Sequence, residues 1–411
     1  MRVSAQDHNA LFLTESIHVL QKATSENSLK ASVKSISKNV SSKQQQELYI
    51  LQKLFLGTKY QEEADSINAK SSQLYQEAAT LASNSKNIPL QIWIYTQTGF
   101  YFYTYNQYET ALPFFLKSSR LLDSTPDIDL IEGIEILKRN AYFFGTILEH
   151  EKSIQYLNRA LNLTTPYSKD HATLLNGIGN CYLETNQLHK AESYQIKSKN
   201  SALKNTDTLR YAKVLGDLAR ISIKRKNWAK AEDLLLEDIS LSEQAGNDRN
   251  TMFARLQLGK MYWEKAEINK AYNTLTKVLQ YAGSKSYLKG FEYDAAELLL
   301  LIAIHRNDAA EELFLRRSLD TLGKIVKHTE GEEAISKISL KTQKENLLWE
   351  LEAEKAKVEK ASLVRLMWII ISILLLAGVI LIYLHNKRRL KLQNSEFERK
   401  LLVFQYEKIQ S

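Results

Sequence analysis

Apolar and polar positions follow several successive patterns along this 411-residue chain. The longest, from roughly residue 45 to 325, repeats one skeleton: a small residue, an aromatic or apolar residue three positions on, and an alanine twelve positions on. It reads Gly99, Phe102, Ala111 and Phe115, then Gly179, Tyr182 and Ala191, then Ala219, Ala231 and Leu235, then Gly259, Tyr262, Ala271 and Leu275. A weaker copy has Ala141, Phe144, Ser153, Leu157 and Ala160. The spacing predicts pairs of antiparallel helices whose axes approach at the small residues while the larger ones fill the space one turn away. A lone pair cannot bury its apolar face, so stacking must supply the core.

Ahead of the first clear copy, Leu29, Val33, Ile36 and Val40 form one amphipathic stripe, and Ala64, Ile67, Leu74, Ala78 and Leu81 another. Both read as helices that cap or extend the stack, with Pro89 at the boundary because proline disfavours helix at the preceding residue. After the array, Glu332 to Ala361 hold no Gly or Pro, and Leu340, Leu347, Leu351, Val358 and Ala361 follow a heptad that Lys344 and Glu354 interrupt. Then come nineteen uncharged residues, Leu366 to Leu384, which as a helix are about 28 Å long, the thickness of a bilayer's hydrocarbon. Beyond them Leu390, Phe397 and Phe404 recur every seven residues, with Leu401 between, which suits either a second coiled coil or a helix lying on a membrane surface.

Composition sharpens the picture. Four Pro and 14 Gly in the whole chain fall far below their usual shares, which removes the residues that break helices. The expected class is all-α: a helical-hairpin solenoid followed by a long coiled-coil and transmembrane helix. Five segments follow: an N-terminal helical cap over 1–90, repeats over 91–325, a connector over 326–365, the span over 366–384 and a basic juxtamembrane tail over 385–411. Arg365, Trp368, Tyr383, Lys387, Arg388 and Arg389 flank the span as its interface residues, since aromatic rings and cations favour the headgroup layer. The excess of cations after the span favours a cytoplasmic C-terminus and an extracytoplasmic array. Export needs a signal sequence, and Met1 to Gln6 is followed by polar residues. Val3-Ser4-Ala5 has the small-residue pattern of a cleavage site, hence the expectation that the true start lies upstream. A polar N-terminus on a cytoplasmic array is the alternative.

The net charge of +8 is spread among interleaved Lys, Arg, Asp and Glu, not the stripe a nucleic-acid surface needs, so direct nucleic-acid binding is not expected. The single cysteine, Cys181, excludes an internal disulfide and a Cys-rich metal site. The eight histidines lack the spacing of a helical zinc site, Gly177-Ile178-Gly179 lies inside a predicted helix, and no Walker sequence or nucleophile elbow occurs. The expectation is a binding protein without catalysis, metal or cofactor.

The array resembles the tetratricopeptide repeat, whose pattern pairs a Leu-Gly and Tyr on a first helix with an Ala and an aromatic on a second. The second-helix small residues, Ala111, Ser153, Ala191, Ala231, Ala271 and Ala310, lie 42, 38, 40, 40 and 39 apart, longer than the family's usual 34, so helices or loops must be extended. The resemblance implies that first helices line a groove for a peptide or protein. By matching positions Phe100, Tyr103, Lys138, Tyr142, Asn176, Asn180, Lys213, Arg220, Lys260 and Trp263 face it. Asn pairs with peptide backbone, Lys and Arg with carboxylates, and aromatics anchor. The family's terminal-carboxylate clamp is broken, because Tyr142 follows Lys138 and Asn176 precedes Asn180.

The order of array, connector, span and second heptad looks like the sensory half of bacterial membrane regulators of the Bacteroidetes type. Three functions stay open: a membrane-anchored receptor or scaffold in signal sensing, a truncated sensor histidine kinase or transcription regulator lacking its output domain, and a structural envelope assembly factor. The bilayer and, through the heptads, a second copy of the chain are the other expected partners.

Overall fold

The structure is a computed structural model that describes residues 5–64, 67–126, 128–329 and 333–410, with the side chains of 5–10, 39, 286, 325–354, 358 and 403–410 outside the description. Every regular element among the described residues is helical. The helices are α1 (Ala5–Gln21), α2 (Glu26–Ile36), α3 (Ser42–Ala64), α4 (Ala69–Ser83), α5 (Ile88–Thr104), α6 (Tyr108–Ser124), α7 (Gly133–Thr146), α8 (His150–Asn162), α9 (Lys169–Glu184), α10 (Leu188–Lys204), α11 (Thr208–Lys224), α12 (Trp228–Gln244), α13 (Asp248–Glu264), α14 (Ile268–Gly283), α15 (Lys289–Arg306), α16 (Ala309–Thr329) and α17 (Glu333–Gln410). The chain divides into two compact units, Met1–Lys344 and Glu345–Ser411.

The first unit is a solenoid of helical hairpins, the class the sequence predicts. Its 40-residue period has a simple origin. From α9 to α13 the helices run 16 or 17 residues, and each connection is three residues. Two 17-residue helices and two such turns make 40. The family's 34 leaves about 14 residues per helix with the same turns, so the excess lies in the helices. The turns stay short because one residue takes a left-handed conformation: Asn106, Asn186, Lys226 and Ala266 end the first helix of a pair at φ 58° each, and Asn307 does so at 54°. The following amide then reaches back to the helix, as when Gln187 N–H donates to Tyr182 O at 2.8 Å. Gly246, at φ 65°, does the same between α12 and α13.

Each hairpin closes on a small residue facing a larger one sixteen positions on. A side-chain carbon added to Gly99 would lie 2.9 Å from the Phe115 ring, one added to Gly179 2.7 Å from Gln195 Nε2, and one added to Gly259 2.6 Å from Leu275 Cδ2. Ala111, Ala191, Ala231 and Ala271, twelve on from the small residue, are fully buried at the same crossings. Around α5 to α8 the filling is aromatic, with Phe115 and Phe143 stacked at 4.2 Å between centroids, whereas Leu235 and Leu275 fill the later hairpins. The odd-numbered helices α3 to α15 also touch one another in succession and so form one wall, while among the described residues no such ladder joins the even-numbered ones.

Two expectations need correction. The stripe from Ala64 to Leu81 spans two helices: α3 ends at Ala64, and Asn68 caps α4 by accepting from Ser71 N–H at 2.8 Å. Ala64 and Ile67 are exposed, while Leu74 and Ala78 are buried. Ala310 is exposed and out of register, because Asp308 caps α16 and the fourth residue after that cap, equivalent to Ala271, is Glu312. Pro89 sits in the first turn of α5 behind the Asn87 cap, where its missing N–H costs nothing.

In the second unit the run from Leu366 to Leu384 is one helical stretch, and Trp368, Leu374, Leu375, Leu376 and Leu381 are each about two-thirds exposed. One helix among the described residues is long and apolar enough to cross a membrane, by length and composition. Ser372 Oγ donates to Trp368 O at 2.8 Å, which satisfies the hydroxyl within the helix. Arg365, Tyr383, Lys387, Arg388 and Arg389 are exposed at its two ends. Leu390, Phe397 and Leu401 are exposed as well. Phe404, Leu340, Leu347, Leu351 and Val358 lie outside the described side chains, and Val3-Ser4-Ala5 outside the described structure apart from the backbone of Ala5.

The crossings make a direct prediction. Gly259→Ala overpacks against Leu275 at a cost of about 1–3 kcal/mol, of which helix propensity returns about 1. Urea unfolding of the variant should show a net loss of roughly 0–2 kcal/mol, and a gain of about 1 kcal/mol, the helix propensity alone, would mean that the crossing is not close-packed.

Candidate functional site

The wall of odd-numbered helices carries the residues that sequence matching assigns to a groove. Phe100, Tyr142, Asn180, Arg220 and Lys260 each follow the small residue of their helix by one position, a turn of about 100° away from the hairpin contact and toward the neighbouring odd helix. Tyr103 and Trp263 lie one helical turn further on. All seven are partly exposed.

At the N-terminal end the wall opens into a cleft of about 650 Å³ between α3, α5 and α7. Phe55, Tyr75, Trp93, Phe100 and Tyr101 give it an aromatic lining. Its one cation is Arg139, whose guanidinium stands 4.1 Å from the Phe100 ring centroid and donates to Gln97 and, at 2.7 Å, to Glu135. Glu132 borders the cleft in a left-handed conformation at φ 49°, its carboxylate accepting from Trp93 Nε1 at 2.9 Å and from Gln21 Nε2 at 2.8 Å. Tyr103 is spent on structure: its hydroxyl is 3.0 Å from Thr146 Oγ1 and its ring packs against Phe115 and Phe143.

Further along, Lys138 is held by Glu135 at 2.6 Å and Asp170 at 3.4 Å. Burial opposes its charge, but these carboxylates outweigh it and raise the ammonium above its usual range. Burial likewise pushes the Tyr142 phenol up. Asn176 departs from the expectation of a groove contact. It is buried, and its Nδ2 donates to Gln195 Oε1 at 2.8 Å and Asp217 Oδ2 at 2.7 Å, while its Oδ1 accepts from Arg210 at 3.0 Å. Asn180 Oδ1 accepts from Gln195 at 2.8 Å, leaving its amide N–H groups on the wall. Arg220 bridges Glu184 at 2.6 Å and Asp217 at 3.5 Å. Trp263 meets His305 edge to face at 5.7 Å.

Lys213 is different. It is solvent-exposed, and like Lys260 it has no ion pair among the described residues. The surrounding protein lowers its pKa, with Asp217 opposing that shift and Arg210 adding to it. Four residues that matter here escaped the motif matching: Trp93, Glu132, Arg139 and Arg210. Arg139 and Arg210 sit off the matched positions, and their roles come from partners 42 and 34 residues away in sequence.

Beneath the wall lies a buried carboxylate. Asp238 on α12 has no exposure, and its Oδ1 accepts from Ser242 at 3.0 Å and Asn250 at 2.6 Å. Its Oδ2 has no partner and lies over Gly216, where an added side-chain carbon would come within 2.6 Å. Burial first, and the nearby charge of Asp217 second, push its pKa up to about 7 from 3.8.

Several solved structures share this fold. The apo form of RapI is 12% identical, matches 84% of this chain and 99% of its own, and superposes with a TM-score of 0.55. A Rap protein complexed with competence and sporulation factor is 14% identical over 79% of this chain and 99% of its own, at 0.49. A tetratricopeptide repeat protein from Parabacteroides merdae is 15% identical over 70% of this chain and 99% of its own, also at 0.49. At such identities the RapI likeness shows the fold alone. No family model matches the chain, and no curated protein matches it.

Asp238 supplies a pH prediction. An acid whose folded pKa is raised favours folding fully below its unfolded pKa of 3.8 and loses that contribution as pH rises through about 7. The urea midpoint should therefore fall between pH 5 and pH 8, and Asp238→Asn should flatten the fall. An equal fall in the variant would place the titrating group elsewhere.

Proposed function

We propose that this chain is a membrane-anchored receptor whose odd-helix wall binds a peptide or an extended protein segment in the service of signal sensing. The observation that carries this reading is the exposed apolar helix from Leu366 to Leu384 in a chain whose other unit is a repeat array. Nineteen uncharged and mostly apolar residues bare to water on nearly every face cost too much to remain so, and a bilayer is the solvent that matches their length.

Several features support the binding half. The wall is continuous across at least six helices, so an extended ligand can lie along it and engage one or two side chains per repeat. Its polar groups are of two kinds. Lys138, Arg220 and Asn176 are committed to partners inside the protein and stiffen the wall. Tyr142, Lys213, Lys260 and the amide of Asn180 keep bonding capacity toward solvent. The aromatic cleft near Phe100 adds a pocket of the size that accepts an apolar side chain or more.

The tail supports the membrane half. Lys387, Arg388, Arg389 and Lys391 follow the span and suit the cytoplasmic face, which favours an array on the other side. The exposed stripe of Leu390, Phe397 and Leu401 suits pairing with a second copy. In this reading the order of parts serves sensing as it does in the Bacteroidetes-type regulators that the sequence resembles.

A photo-crosslinking amino acid placed at Lys260 on the wall, or at Gln280 on α14 away from it, tests both halves in cells. The membrane fraction should yield adducts from position 260 and few from 280. Adducts equal at the two positions, or a chain that washes off the membrane at alkaline pH, would contradict the proposal.

A further inference from the structure

We infer that the middle of the wall, where α7, α9 and α11 meet, selects an acidic peptide, with Arg210 and Lys213 pairing its carboxylates and Tyr142 and Asn180 donating beside them. The inference rests on the peptide-binding reading of the same wall and adds the chemistry of the ligand.

The argument is a balance of partners. The carboxylates of this region are Glu135, Asp170, Glu184, Asp207 and Asp217, of which Asp207 caps α11 by accepting the Arg210 amide N–H at 3.0 Å. Glu135 and Asp170 are engaged by Lys138, at 2.6 and 3.4 Å, and Glu135 also by Arg139. Glu184 is engaged by Arg220 at 2.6 Å, and Asp217 by both Arg220 and the buried amide of Asn176. Every acid is therefore taken, yet three cations remain. Arg210 bonds a neutral amide oxygen, Asn176 Oδ1, at 3.0 Å, and its Nε is enclosed without an acceptor. Lys213 and Lys260 have no carboxylate partner among the described residues.

Two of these cations, Arg210 and Lys213, lie with polar groups from neighbouring helices. Arg210 lies close enough to Tyr142 on α7 and to Lys213 on its own helix for its charge to act on both. Asn180 on α9 is fixed by Gln195 through its oxygen, which turns its N–H groups into the free donors of the pair. The set thus offers donors and positive charge with hardly an acceptor. A basic ligand would be repelled and a neutral one would leave the cations unpaired, whereas carboxylates complete the set with charge-assisted bonds. The geometry differs from a clamp on a chain terminus, since no Lys and Asn stand four apart on one odd-numbered helix of the wall, so side-chain carboxylates within a peptide serve as well.

Selection from a ribosome-displayed random heptapeptide library on the full chain in nanodiscs tests the inference without a known ligand. Wild-type selections should be enriched in Asp and Glu, and a selected acidic peptide should bind about tenfold more weakly to Lys213→Gln, which removes one close charge pair at an exposed site. The double variant Lys213→Glu and Lys260→Glu should select peptides without acidic enrichment. Selected peptides with no excess of acid, or acidic peptides that bind both variants as they bind the wild type, would overturn the inference while leaving peptide binding intact. Failure of the wild type to enrich any peptide would overturn the inference and the peptide-binding reading together.

Discussion

The close approach of two helices at a small residue is the constraint on which the rest of this structure depends. Gly99, Gly179 and Gly259 leave no room for a side-chain carbon beside Phe115, Gln195 and Leu275. That fixes the rotation of each helix about its axis and therefore which residues look toward the next pair. One position beyond the small residue the chain faces the neighbouring odd helix, and this is why Phe100, Tyr142, Asn180, Arg220 and Lys260 line one wall. Packing thus decides which positions line the wall, whatever residues occupy them.

Buried polar groups follow from the same geometry. Where α9 meets α10, the residue opposite Gly179 is Gln195, so the crossing is filled by an amide and must be satisfied internally. Asn176, Asn180, Asp217 and Arg210 supply the partners and tie α9 to α11 across the hairpin. Such a network rigidifies when complete and is costly when it is not. Arg210 Nε has no acceptor, and neighbouring Asp238 keeps one oxygen unpartnered over Gly216, which the protein answers by favouring its neutral form.

Much of the architecture was legible in the sequence because repetition multiplies a weak signal. A single Gly-x-x-Tyr says little, but its return at about 40 residues with an alanine twelve on specifies a hairpin stack. Legibility failed where the local register broke. Ala310 has the right residue type two places before the position that Asp308 sets, and the Ala64 to Leu81 stripe ran through a turn announced only by Asn68. The wall was legible as a set of positions but not as a set of free groups. Asn176 and Lys213 both matched, yet one is consumed by Gln195 and Asp217 and the other has no carboxylate partner among the described residues, a difference made by residues 19 to 41 positions away. Arg139 and Arg210 were missed for the same reason.

In the function proposed above, an array with a donor-rich wall is tied to one apolar helix with a basic end, long enough to cross a bilayer. The central claim is that the wall and the basic tail lie on opposite sides of a bilayer. Cys181 is buried and is the sole native thiol, so single cysteines placed at Lys213 and at Lys387 can be read against a quiet background with a membrane-impermeant maleimide on intact cells. Labelling at position 213 and protection at 387 until the membrane is permeabilised is the predicted result. Equal labelling at both positions, or labelling at 387 alone, would contradict it.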